Sequence, residues 1–183
     1  KDKAVELLRE KGLATAAKKA GRIASEGLVK VYMNDAKTVA VVLEVNSETD
    51  FVAKNSEFQD FVAGVAKVVA DTNPADVDAL ANEKLGDVTV GEALTSLIAK
   101  IGENMKIRRF ARFEGNVCSY THGEGRIGVM VKAEGAMDAD AYEAARDVAM
   151  QIAAINPMYL SKDVVPAEDI EHERHIIKAQ IGE

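Results

Sequence analysis

Hydrophobic positions recur along this chain with two different periods. Phe58, Phe61, Val62, Val65, Val68 and Val69 return every three to four residues, the spacing of one face of an amphipathic helix. Leu94, Leu97, Ile98 and Ile101 repeat the pattern and stop at Gly102. Ala144, Val148, Ile152 and Ile155 give an inward face to a helix over 140–155. Other stretches are β-branched and shorter. Leu28–Met33 and Thr38–Val45 flank the turn signal Asn34-Asp35 and predict a hairpin. Lys106–Glu114 reads as a strand. Asn116–His122 and Arg126–Ala133 read as a second hairpin, closed by Gly123-Glu124-Gly125.

Boundary residues refine this picture. Residues 2–11 predict a helix with Val5, Leu7 and Leu8 near one face and Gly12 at its end. Ten residues cannot bury a core by themselves, so this helix is expected to belong to a module upstream. Leu13–Glu26, rich in Ala and Lys, reads as a helical or extended linker. Asn46, Ser47 and Thr49 are candidate caps for a short helix from about Thr49 to Asn55. Ser56-Glu57-Phe58-Gln59 and Thr89-Val90-Gly91-Glu92 have the form of capping boxes. The first opens a helix that Asn73-Pro74 stops. Ala75–Leu85 predicts a weaker helix. Pro166 opens a last one, expected to run to the end at Glu183.

Hairpin followed by helix thus occurs twice, in 28–71 and in 116–155. The fold class is α+β: two similar subdomains, each a small antiparallel sheet covered by helices. The expected division is a helical N-terminal remnant with linker in 1–25, core subdomains in 26–114 and 115–163, and a C-terminal helix in 164–183.

Charge and composition narrow the chemistry. The 183 residues carry a formal net charge of −7. That argues against nucleic acid as the main partner and against an RNA-binding module, which would present a basic face with exposed aromatics. Lys18-Lys19-Arg22 and Lys106-Arg108-Arg109-Arg112 are local exceptions, read as solvated faces. In the second, Lys106, Arg108 and Arg112 share a strand parity that Arg109 does not. There is no run of about 18 apolar residues to cross a membrane, and the charged start is no signal peptide. The single cysteine, Cys118, allows no internal disulfide and fits a reducing cytosol. The chain does not begin with Met, and a piece of a longer protein is expected.

Few motifs could support catalysis. Gly123-Glu124-Gly125-Arg126-Ile127-Gly128 matches G-x-G-x-x-G, but a dinucleotide site needs that loop to open a helix, and here it precedes a strand. His172 and His175 are three residues apart, short of zinc-helix spacing and without an obvious third ligand. Cys118 and His122 on one strand would lie about 13–14 Å apart, too far for a catalytic pair. A nucleotide-using enzyme, the alternative function, would need a P-loop, carboxylate pair or metal cluster in proper context. No cofactor is expected. The most informative stretch is Thr49-Asp50-Phe51-Val52-Ala53-Lys54, where Asp50 suits the first turn of a helix. Spacing alone favours Phe51 as a core residue over an interface residue.

At this stretch the chain resembles a known family. Glu44-Val45-Asn46-Ser47-Glu48-Thr49-Asp50-Phe51-Val52-Ala53-Lys54-Asn55 is similar, nearly residue for residue, to the signature of bacterial elongation factor Ts. Three further segments match in order: Lys18-Lys19-Ala20-Gly21 with Ala24, Glu26 and Gly27; Ile98–Arg109, containing Lys100-Ile101-Gly102-Glu103-Asn104; and Tyr120-Thr121-His122-Gly123 with Arg126-Ile127-Gly128-Val129. Ser47-Glu48 departs mildly, since members often carry Cys or Gln there, with no consequence expected for contact.

The resemblance implies a cytoplasmic nucleotide-exchange factor that binds elongation factor Tu and promotes GDP release in translation, without catalytic residues of its own. It implies partner contacts at Asp50, Phe51, Val52, Lys54, Ile101 and Gly102, on the nucleotide domain. His122 would touch the partner's third domain. Residues 1–11 would be the last helix of an N-terminal module. Residues 164–183 would start a dimerisation hairpin, through which the intact protein could form a homodimer. For His122 the strand pattern alone leaves two roles open, an exposed anchor or a core histidine with locally satisfied nitrogens.

Overall fold

The computed structural model describes residues 2–182; Lys1, Glu183 and the side chains of Asp2, Ala4, Val5, Leu8 and Arg9 lie outside what is described, and with them the expected face of Val5 and Leu8. Two compact units divide the chain at residues 153 and 154. Helices and small antiparallel sheets of three, two and two strands make the fold α+β.

The centre of the first unit is a three-stranded sheet in the order β1-β2-β5, formed by β1 (Glu26–Met33), β2 (Val39–Ser47) and β5 (Met105–Glu114). The first predicted hairpin is present. The Asn34 carboxamide oxygen closes its turn by accepting from the Thr38 and Val39 N–H groups at 2.8 and 3.0 Å. Alternation is poor in β1 because both faces are covered. Leu28 and Tyr32 pack on the main core. Val29 and Val31 lie under a second hairpin, β6 (Asn116–His122) and β7 (Ile127–Ala133).

Two glycines set that close approach. A Cβ at Gly128 would sit 2.5 Å from Val29 Cγ1, and one at Gly125 would sit 2.3 Å from Leu28 Cδ1. The glycine motif is therefore a packed hairpin turn, with no helix after it to face a pyrophosphate.

The core lies on the other face of the first sheet. Val41, Leu43 and Val45 of β2 meet α3 (Ser56–Thr72), whose Phe58, Phe61, Val62, Val65 and Val69 are buried as its period predicts. Helix α2 (Asp50–Ala53) precedes α3, and α5 (Val90–Ile101) completes the layer. The capping box at α5 forms as read, Thr89 Oγ1 accepting from the Glu92 N–H and the Glu92 carboxylate from the Thr89 N–H.

Several local expectations change. Gly12 does not end the first helix: α1 runs Asp2–Lys19, with Gly12 buried within it and facing Ala99 of α5. Asn55, not Ser56, caps α3, its side chain accepting from the N–H groups of Glu57 and Phe58; Gln59 bonds back to the Ala53 carbonyl. The helix expected over 75–85 is only α4 (Val77–Asn82), followed by a miniature hairpin of β3 (Lys84–Leu85) and β4 (Val88–Thr89). Leu85 packs into the notch at Gly64, where a Cβ would meet its Cδ1 at 2.9 Å.

The basic cluster of β5 is not wholly solvated. A bulge at Glu44/Val45 shifts the register, and Arg108 and Arg109 both reach Glu44, at 3.5 and 2.6 Å. Arg112 falls on the core side with its side chain 12% exposed, donating to the Ala70 carbonyl near the end of α3.

Helix α6 (Ala139–Ile155) follows β7, with Asp138 capping the Ala141 N–H. Its inward face is displaced from the one expected. Ala149 is buried, and Ala141, Tyr142, Ala145 and Ile152 are half-buried, while Ala144, Val148 and Ile155 are exposed. An Ala-rich helix offers two similar stripes, and Cys118, buried with its Sγ 3.9 Å from the Tyr142 carbonyl, fixes which one turns in. Burial holds the Tyr142 hydroxyl above its ordinary pKa.

The second unit contains α7 (Ala167–Ile181), preceded by Pro166 and followed by Gly182 in the left-handed conformation. Tyr159 bonds the Asp169 carboxylate, which raises the tyrosine's pKa. His172 and His175 are exposed on α7. Among the described residues no helix is long and apolar enough to cross a membrane.

Candidate functional site

Where β2 leaves the sheet, the chain makes a sharp exit into α2. Successive helical residues point about 100° apart. In four residues this suffices to send Val52 into the core, 6% exposed, and Phe51 out to solvent, 80% exposed. Phe51 is therefore not a core residue. Val52 is the correction: its burial leaves it no surface for a partner, and it anchors the turn that presents Phe51. Asp50 and Lys54 pair across the helix at 3.1 Å, both largely exposed.

Thr49 stands at the cap position of α2 with extended backbone, but its side chain does not cap. Its hydroxyl donates to Glu103 Oε1 at 2.7 Å and its N–H to Glu103 Oε2 at 3.0 Å. The preceding residue makes a matching bond, Glu48 Oε1 accepting the Asn104 N–H at 2.6 Å. Ser47, fully buried, donates its hydroxyl to the Thr49 carbonyl. The exit of β2 is thus fastened to the loop after α5.

This fastening brings the sequence-predicted residues together. Ile101 is the last residue of α5, and Gly102 caps it in the left-handed conformation at φ 86°. Their turn is held against the turn carrying Asp50 and Phe51 through residues 48–49 and 103–104. Glu48 is a central tie. Its other oxygen pairs with Arg22 Nε at 3.3 Å. No periodicity could reveal Glu48, Glu103 or Asn104, because their partners lie far away along the chain.

His122 stands on a different element, at the outer end of β6, and is exposed. Cys118, Tyr120 and His122 share one face of the strand. Cys118 is buried beside α6, whereas His122 is not, and Tyr120 OH lies 2.9 Å from His122 Nδ1 with the rings 5.9 Å apart. The site as a whole offers an exposed aromatic on a fastened turn, a surface ion pair and an exposed imidazole. Among the described residues no group of three or more His, Cys, Asp or Glu is placed to hold a metal.

Residues 48–183 match the family model described as Elongation factor TS. Elongation factor Ts of Clostridium perfringens (strain 13 / Type A) is 55% identical over 186 residues, covering 98% of this chain and 61% of the relative. Elongation factor Ts of Clostridioides difficile (strain 630) is 51% identical over 183 residues, covering 98% of this chain and 60% of the relative. The chain thus spans about three fifths of the length of the curated relatives it matches.

Proposed function

The chain belongs to the elongation factor Ts family, and on that premise we propose that it binds elongation factor Tu and promotes GDP release, as a cytoplasmic partner that performs no covalent step itself. The observation that carries this is Phe51, 80% exposed on a turn fastened from two sides. An aromatic left in water on an ordered turn stands ready to be buried elsewhere, and such burial contributes about 1.5–3 kcal/mol. Asp50, Lys54, Ile101 and Gly102 surround it as accompanying contacts. His122 is a second contact on the β6–β7 hairpin. We also take α7, with Ile170, Ile177 and Ile181 exposed, as the start of a dimerisation hairpin.

An exchange factor binds its nucleotide-free partner more tightly than the GDP-bound form. By linkage, GDP then weakens its hold by the same factor. Phe51, inserted between helices of the nucleotide domain, would shift groups that position Mg²⁺; losing that charge weakens the hold on the phosphates. The test is release of a fluorescent GDP from elongation factor Tu. The chain should accelerate release, and Phe51→Ala should slow the accelerated rate with its melting temperature unchanged. An unaltered GDP off-rate at saturating chain would overturn the proposal.

A further inference from the structure

We propose that Ile23 is a second apolar contact for the same partner, its loop held by the hydrogen-bond network that also holds the turn of Phe51. Resting on the reading that Phe51 docks on elongation factor Tu, it adds a residue outside the Thr49–Asn55 signature. Ile23 lies in the loop between α1 and β1 and is 85% exposed. In residues 1–153 it and Phe51, at 80%, are the two most exposed large hydrophobic side chains among the described residues; the next, Leu13, is 61% exposed.

Single exposed apolar residues are common and need no explanation. What sets Ile23 apart is how its loop is held. The Asn104 side chain, 9% exposed, donates to the Arg22 carbonyl at 2.7 Å and reaches the Ala20 carbonyl at 3.5 Å. Arg22 then pairs with Glu48, which accepts the backbone N–H of Asn104. A buried polar side chain is thus committed to holding the carbonyls of Ala20 and Arg22, the second of them next to Ile23. Glu103, adjacent in the chain, fixes Thr49, two residues before Phe51.

Both exposed side chains therefore stand two residues or fewer from backbone groups tied to the Glu103–Asn104 pair. Ordering a loop costs conformational entropy. Spending it in advance on two solvent-facing hydrophobic side chains lowers the cost of a two-point contact. The fitting partner surface has an apolar depression in addition to the one that receives Phe51.

The experiment titrates nucleotide-free elongation factor Tu with the chain and with Ile23→Ala, Phe51→Ala and Leu13→Ala, each melted in parallel. Removing the buried carbons of one isoleucine should raise Kd about tenfold. Leu13→Ala should leave Kd unchanged, and all melts should coincide. Ile23→Asp, which places a charge in the same contact, should weaken binding further. If Phe51→Ala weakens binding and both Ile23 variants match Leu13→Ala, this inference falls and the proposed function stands. If Ile23 matters and Phe51 does not, the shared surface is wrong. If the unaltered chain does not bind, both fall.

Discussion

The two hairpin-and-helix segments start from the same local pattern and end in different states. In the first, β1 and β2 gain β5 as a third strand, and α3 is joined by α5, so that Phe58, Val62, Val65, Val69 and Leu43 are fully buried. In the second, β6 and β7 pair only with each other, and α6 buries Ala149 alone while Val148 and Met150 are exposed. A shared alternation of elements therefore does not imply a shared contribution to stability. Burial depends on how many neighbours later parts of the chain bring back.

The sharpest way to break the comparison is to truncate matching helices. Phe58→Ala should cost about 3–5 kcal/mol, the range for deleting a buried aromatic. Val148→Ala on α6 should stay within about 0.5 kcal/mol, as exposed substitutions do. Urea unfolding of both reads the difference; equal losses would mean that α6 carries as much of the core as α3.

A middle-sized effect is expected where the two segments meet. Gly128→Val would drive carbon into Val29, Val31 and Val42, all within 3.3 Å of the modest Cβ position, and overpacking of this kind costs about 1–3 kcal/mol. The prediction is a lower melting temperature together with faster hydrogen exchange in β6 and β7. Unchanged exchange there would mean that the hairpin does not depend on this contact.

The smallest test compares caps. Thr89→Ala removes half of the box on α5, and Asp138→Ala removes the acceptor for the Ala141 N–H on α6. Each should cost about 1 kcal/mol of helix stability. Because α5 is built into the main core, its loss should appear in global unfolding. The loss at α6 should appear chiefly in local exchange of that helix.

These contrasts also mark what was legible beforehand. The box at Thr89 could be read because donor and acceptor lie three residues apart. At α3, Asn55 and Ser56 are neighbouring candidates, and the choice was made by the chain arriving from α2, which the local sequence does not record. Spacing favoured the core for Phe51, and wrongly, since a four-residue helix has too few positions to show a face; the resemblance to a family supplied the expectation of exposure. The ties from Glu48 and Thr49 to Asn104 and Glu103 were invisible because they depend on the finished fold. The inward face of α6 was misjudged because alanine on both sides makes either stripe acceptable until Cys118 selects one.

Arg108 is the one residue by which the ten of β5 exceed the nine of β2. Before it, Met105 and Ile107 turn toward the core; after it, Phe110 and Arg112 do. The residue thus acts as a phase shifter, converting an odd-numbered inner row into an even-numbered one. A substitution at 108 removes a largely exposed guanidinium and its 3.5 Å pair with Glu44. A deletion there would place Arg109 directly after Ile107, and plain alternation would keep Ile107, Phe110 and Arg112 on one side. What position 108 contributes is the bulge itself, a local bend and twist in the strand beside Glu44.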